Sequence, residues 1–105
     1  MIPKSKKLQM LEKLTGGGST DPFHWYALAL EYRNLERHDE ALQTFTTLRT
    51  QSADYVPMYL MCGQMLDKLA RKDEARDWYE AGIAAARKKG DTHAQGELEG
   101  ALAAL

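Results

Sequence analysis

The sequence is poor in cysteine and contains no long apolar run. Cys62 is the one cysteine among 105 residues, so neither an internal disulfide nor a zinc site built from several cysteines can form. Such a composition suits a reducing compartment, and the N-terminal MIPKSKKLQM lacks the apolar core of a signal peptide. No apolar stretch approaches the roughly 18 residues that a membrane-spanning helix needs. We therefore expect a cytoplasmic protein that does not enter a membrane.

An excess of charge of either sign is also missing. The net charge is −1 and the pI is about 6.3, whereas a protein that binds nucleic acid usually carries a basic excess. The basic clusters Lys4, Lys6 and Lys7 and residues 87–89 are small. Hydrophobic residues make up 44% of the chain and charged residues 28%, which is an ordinary globular composition. The length fits one domain over residues 1–105, with no nucleic acid as partner.

Prolines are few, and two of the three are predicted to begin helices. In Asp21-Pro22, the aspartate can cap free backbone N–H groups, and proline fits the first turn, where no donor is needed. Pro57 predicts a second such start. Asp39 and Asp73 are predicted to cap two further helices.

Apolar residues at helical spacing predict the remaining helices. A first helix is expected over 4–14 and ends before Gly16, and Gly90 separates the fourth repeat helix from a last one over 92–105. No segment alternates apolar and polar residues as a strand does. The sequence therefore predicts about six helices and no sheet.

The chain repeats itself at a distance of 34 residues. RHDEALQTF begins at Arg37, and RKDEARDWY begins at Arg71. The paired positions that broadly keep size and polarity are Trp25 with Tyr59, Leu28 with Cys62, Ala29 with Gly63, Tyr32 with Leu66, Leu35 with Leu69, Ala41 with Ala75, and Phe45 with Tyr79. A repeat of this length is typical of proteins built from stacked helix pairs.

These repeats resemble the tetratricopeptide repeat, a helix–turn–helix unit with the pattern W-x2-L-G-x2-Y, then A-x3-F, then P. The matching residues are Trp25, Leu28, Tyr32, Ala41 and Phe45 in the first repeat, and Gly63, Ala75 and Tyr79 in the second. The closing proline is absent from both repeats. The resemblance implies an all-α superhelix of antiparallel helix pairs with two full repeats, over 22–55 and 56–89.

The flanking segments fit the same scheme as capping helices. An offset of 34 places Leu8, Leu11 and Leu14 over Leu42, Phe45 and Leu48, so residues 4–14 look like the second helix of an earlier repeat. An offset of 36 places Leu98, Leu102 and Leu105 over Cys62, Leu66 and Leu69. Residues 92–105 therefore look like a terminal helix that covers the last repeat.

No set of residues in the sequence predicts catalysis, a metal site or a cofactor. His38-Asp39-Glu40 contains the H-x-E of zinc deaminases, but the P-C-x-x-C half is missing. GGGST, over 16–20, lacks the Lys-Ser/Thr pair of a phosphate loop. Cys62 falls where the repeat buries leucine, which favours an inert thiol. We expect a protein that is not an enzyme.

The resemblance places a partner in a concave groove lined by the first helix of each repeat. The groove positions are Phe23, Tyr26, Leu30, Arg33 and Asn34 in the first repeat, and Leu60, Met61, Gln64, Asp67 and Lys68 in the second. This set is rich in apolar side chains, which suits an apolar helix or extended peptide of another protein. The alternative interpretation is that these side chains pack inside the molecule, in part under the C-terminal helix.

Two further functional interpretations remain open at this point. The same surface could join two copies of the chain as a homodimer. An enzyme of an unrecognised type would show a bound metal or a deep polar pocket. Some members of the family hold acidic C-terminal tails through a Lys/Arg/Asn carboxylate clamp, and here Tyr26, Leu30 and Met61 occupy clamp positions. We therefore expect no preference for a free acidic tail.

Overall fold

The structure, a computed structural model, describes residues 5–105 and is all-α. Its six helices are α1 (Lys6–Gly16), α2 (Pro22–Asn34), α3 (His38–Gln51), α4 (Pro57–Lys68), α5 (Lys72–Lys89) and α6 (Thr92–Ala103). Residues 5–105 contain no strand. The predicted fold class is confirmed. The helices form two compact units, which divide between Gln51 and Ser52. The single domain predicted over 1–105 stays a prediction.

In the first unit, α2 packs against α1 and α3. Its core contains side chains that are at most 8% exposed, namely Leu8, Leu11, Leu28, Ala29, Tyr32, Ala41, Phe45 and Leu48. The helix predicted over 4–14 is observed two residues later at each end, and residues 1–4 lie outside the described residues. Ser5 accepts a hydrogen bond from the backbone N–H of Leu8 and caps this helix.

Leu8, Leu11 and Leu14 follow one another at a spacing of three residues, but only Leu8 and Leu11 are buried. Leu14 is 39% exposed, and Thr15 is buried in its place, with its hydroxyl donating to the Leu11 carbonyl at 2.9 Å. A spacing of three residues drifts by about 60° per step around an α-helix, whereas seven residues return almost to the starting direction. Thr15, seven residues after Leu8, therefore faces α2, and Leu14 turns toward solvent.

The starts of α2 and α6 follow the sequence prediction. Asp21 accepts a hydrogen bond from the N–H of Phe23 at 2.9 Å, and Pro22 occupies the first turn. Asp91 caps α6 in the same way through the N–H of Ala94 at 3.0 Å. Gly90, with φ of 72°, ends α5 in the left-handed region that favours glycine.

The caps predicted at Asp39 and Asp73 are wrong. The N–H of Ala41 bonds to the Arg37 carbonyl at 2.9 Å, so α3 begins at His38 and Asp39 lies inside its first turn. The N–H of Ala75 bonds to the Arg71 carbonyl at 3.0 Å, and α5 begins at Lys72. The carboxylates still suit the positive end of the helix dipole, although they do not cap it.

Arginine and glutamate hold both of these helix starts. Arg37 donates two hydrogen bonds to Glu40, each of 2.6 Å, and Arg71 donates two to Glu74, of 2.7 and 2.8 Å. The planar guanidinium matches both carboxylate oxygens at once. The arginine and glutamate that RHDE and RKDE share therefore form a forked ion pair, which fixes the first turn of the second helix in each repeat.

In the second unit, α5 packs against α4, and α6 packs against both. A methyl group built at Gly63 would lie 2.3 Å from the Tyr79 ring, and one built at Gly82 would lie 2.5 Å from the Cβ atom of Tyr59. Only glycine allows α4 and α5 to approach this closely. Cys62 is fully buried, as the repeat pattern predicted, and Leu98 of α6 is 1% exposed.

Candidate protein-binding surface

The first unit exposes one face of α2. Phe23 is 58% exposed, Tyr26, Leu30 and Arg33 are half-buried, and Asn34 is exposed. Positions 23, 26, 30 and 33 follow the three-and-four spacing that puts side chains on one side of a helix. The opposite side carries Leu28, Ala29 and Tyr32 into the core. The five predicted groove residues of the first repeat therefore share one accessible face.

The N-terminal end of α2 is fixed by polar contacts with the preceding loop. The indole N–H of Trp25 donates to the Ser19 carbonyl at 2.8 Å, and the Ser19 hydroxyl lies 2.7 Å from Nδ1 of His24. Together with the Asp21 cap, these contacts hold the first turn, which carries Phe23. An aromatic side chain on an ordered helix loses little conformational entropy when a partner covers it.

The second unit exposes a comparable face of α4. Leu60, Met61 and Asp67 are half-buried, and Gln64 and Lys68 are exposed. The other side of α4 is fully packed by Met58, Tyr59, Cys62, Gly63, Met65 and Leu66. All ten predicted groove residues thus keep some exposure, each within its own unit. The charges on the α4 face are partly neutralised, because Lys72 lies 3.4 Å from Asp67.

The buried tyrosines are held in their protonated form. Burial, and then the hydrogen bond that its hydroxyl donates to Glu12 at 2.5 Å, raise the pKa of Tyr32 to about 12. Burial also raises the pKa of Tyr79, with a smaller contribution from the negative charge of Asp67. Neither phenol is prepared to act as a base or nucleophile near neutral pH, so both serve the packing.

The candidate chemical residues do not converge. Glu40 is engaged by Arg37, His93 lies 3.1 Å from Glu97, and the buried Nδ1 of His38 has no hydrogen-bond partner among residues 5–105. Within the same range, no three His, Cys, Asp or Glu residues come together in a group that could hold a metal ion. No helix in the described part of the chain is both long and apolar enough to cross a membrane.

Two apolar side chains of α1, outside the predicted groove, are exposed. Met10 is 57% exposed on α1, beside Leu14, and both line an open cavity of about 670 Å³ together with Lys13 and residues 17–21. The sequence offered only a weak indication, since Met10 falls outside the leucine spacing of that helix. GGGST therefore belongs to a shallow cavity beside apolar side chains.

Comparison with known proteins gives concordant results. The model of the Tetratricopeptide repeat family matches residues 25–48 and 56–89. Among solved structures, the solution structure of a tetratricopeptide repeat domain protein from Salinibacter ruber is 38% identical, with a TM-score of 0.74, and the match covers 78% of this chain and 83% of that one. No curated protein matches the chain.

Two further solved structures are similar. The crystal structure of the tetratricopeptide repeat domain protein from Salinibacter ruber has a TM-score of 0.72 at 38% identity, covering 78% of this chain and 92% of that one. A protein from Bordetella parapertussis has a TM-score of 0.77 at 24% identity, covering 95% and 86%, and shares the fold. The matched repeats span more than half of the chain, and the chain belongs to the tetratricopeptide repeat family.

Proposed function

We propose that this protein is a non-catalytic interaction module that binds an apolar helix or peptide segment of another protein. Repeats of this family generally mediate contacts between proteins and are typically non-catalytic. The observation that carries the proposal is the accessible apolar side of the first helix in each repeat, above all Phe23 at 58% exposure. Large exposed apolar side chains on an ordered surface commonly mark a binding site.

On the α2 face, aromatic and aliphatic side chains supply the contact area. Phe23 and Tyr26 are rigid, and burying such rings yields much of the energy of a protein interface. Leu30 continues the apolar stripe. Arg33 and Asn34 lie at its C-terminal end, where Arg33 donates to the Asn34 side chain at 3.3 Å. Polar groups at the edge of an apolar patch give selectivity rather than affinity.

On the α4 face, flexible and branched side chains supply the contact area. Met61 adapts its shape to a partner because its thioether chain is unbranched. Leu60 lies beside it, and Gln64, Asp67 and Lys68 provide the polar rim. The α2 face adds the positive charge of Arg33 to its apolar side chains, and the α4 face adds the opposite charges of Asp67 and Lys68. A segment with an apolar stripe and flanking charges of both signs therefore fits them better than a purely acidic or basic one.

The test is capture of partners from the source cell by the wild-type chain and by Tyr26→Ala/Leu60→Asp. A matched control, Thr46→Ala/Ala84→Asp, makes the same kinds of change at exposed positions of α3 and α5. Circular dichroism checks the fold of each. We expect the groove variant to lose proteins that the wild type and the control retain. Identical captures for all three would exclude the proposal.

The alternative is that the same two faces join copies of the chain. An apolar face can pair with its own copy in a two-fold arrangement. Light scattering after size exclusion separates the two functions. A symmetric dimer that Leu60→Asp dissociates favours this alternative, and association that is indifferent to Leu60→Asp excludes it.

A further inference from the structure

The second unit has a cleft that its own helices leave unfilled. Between α5 and α6 lies a cavity of about 480 Å³, lined by Ile83, Leu102 and Ala103, with Glu80, Arg87 and Glu99 around them. Leu98, one turn before Leu102 on α6, is 1% exposed and fixes α6 to the unit beside Gly82 of α5. The apolar floor of the cleft is therefore held in place by residues that do not take part in it.

Helix α6 carries two glycines, Gly96 and Gly100, that no helix contact among residues 5–105 requires. Gly63 and Gly82 lie where two helices touch, whereas nothing lies within 4 Å of a methyl group built at Gly96 or Gly100. A glycine inside a helix costs about 1 kcal/mol relative to alanine. Gly96, Gly100 and Ala103 recur at helical spacing on one side of α6, and Ala103 also lines the cleft, so a further helix could approach the α6 backbone closely on that side.

The first unit has an uncovered helix of the matching kind. On α1, Met10 and Leu14 are 57% and 39% exposed and lie four residues apart on one side. Leu8 and Leu11 occupy the other side and are buried. Helix α1 thus packs on its own unit with one apolar stripe and presents a second one to solvent.

The charges of the two helices are complementary. Helix α1 has three lysines and one glutamate, and that glutamate, Glu12, accepts the hydrogen bond of Tyr32. Lys7 lies 3.7 Å from Glu31, while Lys6 and Lys13 are exposed. Helix α6 has Glu97 and Glu99 and no lysine or arginine, and Arg87 of α5 lies 3.8 Å from Glu99 and offsets part of this charge. The helices are also similar in length, with 11 and 12 residues.

The repeat pattern gives the two helices complementary positions. At an offset of 36, Leu98 and Leu102 align with residues of α4, the first helix of a repeat. At an offset of 34, Leu8, Leu11 and Leu14 align with residues of α3, a second helix. A first helix and a second helix form the packed pairs α2–α3 and α4–α5. We propose that α1 of one copy docks in the α5–α6 cleft of a second copy, so that α1 and α6 complete a repeat between them.

This contact joins α1 of one copy to the α5–α6 cleft of another. Each copy in such a pair therefore still has one of these two surfaces unoccupied. Association of this kind continues head to tail, as an open chain or a closed ring, rather than stopping at a symmetric dimer. It uses residues outside the α2 and α4 faces, so a result that contradicts it does not contradict the proposed function.

The experiment uses one variant for each surface. Met10→Asp/Leu14→Asp places acids on α1 that would face the glutamates of α6, and Gly100→Lys/Ala103→Lys places cations beside the cleft that would face the lysines of α1. All four positions are exposed, and added side chains at Gly100 meet no neighbour. Phe23→Asp is the control, because Phe23 and Met10 are 58% and 57% exposed. Circular dichroism verifies folding, and the milder Met10→Ala/Leu14→Ala replaces the first variant if it unfolds.

Sedimentation velocity over a concentration series gives the readout. We expect the average mass of the wild type and of Phe23→Asp to rise with concentration, and each surface variant to associate at least about tenfold more weakly. An equimolar mixture of the two variants should form dimers and nothing larger, because one supplies an intact cleft and the other an intact α1. Wild type that stays monomeric up to about 1 mM, or a mixture that stays monomeric, would overturn the proposal.

Discussion

Glu36 and Ala70 end the first helix of each repeat in the left-handed region, with φ of 58° and 61°. The residue that follows each one, Arg37 or Arg71, donates its N–H to the carbonyl of Tyr32 or Leu66 at 2.9 Å. This closure satisfies carbonyls at the helix end, yet a side chain costs energy in that conformation. Both turns therefore keep a residue other than glycine where glycine is favoured.

Replacing Glu36 with glycine should stabilise the protein by about 0.5–1 kcal/mol, because the strain of a left-handed Cβ exceeds the entropy that glycine adds to the unfolded chain. Chemical denaturation of Glu36→Gly against wild type measures the difference. Ala84→Gly, at an exposed position inside α5, is the control and should destabilise by about 1 kcal/mol. Equal losses for both variants would contradict the prediction.

Tyr32 gives a pH dependence whose sign follows from its pKa of about 12, against 10.0 for an ordinary tyrosine. Below pH 10 the phenol is protonated in both folded and unfolded chains, and its contribution to stability is complete. As the pH rises from 10 to 12, the unfolded chain loses this proton first, so the free energy of unfolding falls.

Denaturation at several alkaline pH values tests this prediction with Tyr32→Phe. The variant should lose part of the decline in stability between pH 10 and 12, since phenylalanine carries no proton to release. Tyr55→Phe, at a half-buried position, serves as the comparison. An unchanged decline in Tyr32→Phe would mean that other groups produce it.

At the scale of the element, helix starts divide into two kinds. Helices α1, α2 and α6 are capped by the side chains of Ser5, Asp21 and Asp91. Helix α5 has no side-chain cap, and α3 and α5 both begin with a forked arginine–glutamate pair. The sequence predicted the cap at Asp21, beside Pro22, and the start of a last helix after Gly90. It misassigned Asp39 and Asp73, because an aspartate in the first turn also stabilises a helix start, through the helix dipole rather than as a cap.

Removing the cap of α2 should therefore lower the free energy of unfolding more than removing Asp39 or Asp73, which do not cap their helices. Asp21→Ala leaves the Phe23 N–H without its partner and should destabilise by about 1 kcal/mol. Asp39→Ala removes only a dipole interaction and should cost less than about 0.5 kcal/mol. Thermal unfolding of the two variants measures both, and a larger loss for Asp39→Ala would restore it as the cap.

At the scale of the whole molecule, the proposed function predicts which peptides bind. Tyr26, Leu30 and Met61 carry no charge to hold a terminal carboxylate, so binding should depend on apolar contact. We expect an apolar helical peptide to bind equally well with a free or an amidated C-terminus. Titration calorimetry compares the two forms, and a strong preference for the free carboxylate would contradict the prediction.

The sequence by itself determined the helices, the 34-residue repeat and a residue that permits close packing, Gly63. These follow from local chemistry, because proline, glycine and apolar spacing act within a few residues. Only the tertiary structure decided that Thr15 is buried while Leu14 is exposed, and that Phe23 remains uncovered. Helical periodicity fixes which residues share a face, but the neighbours that pack against that face decide whether water reaches it.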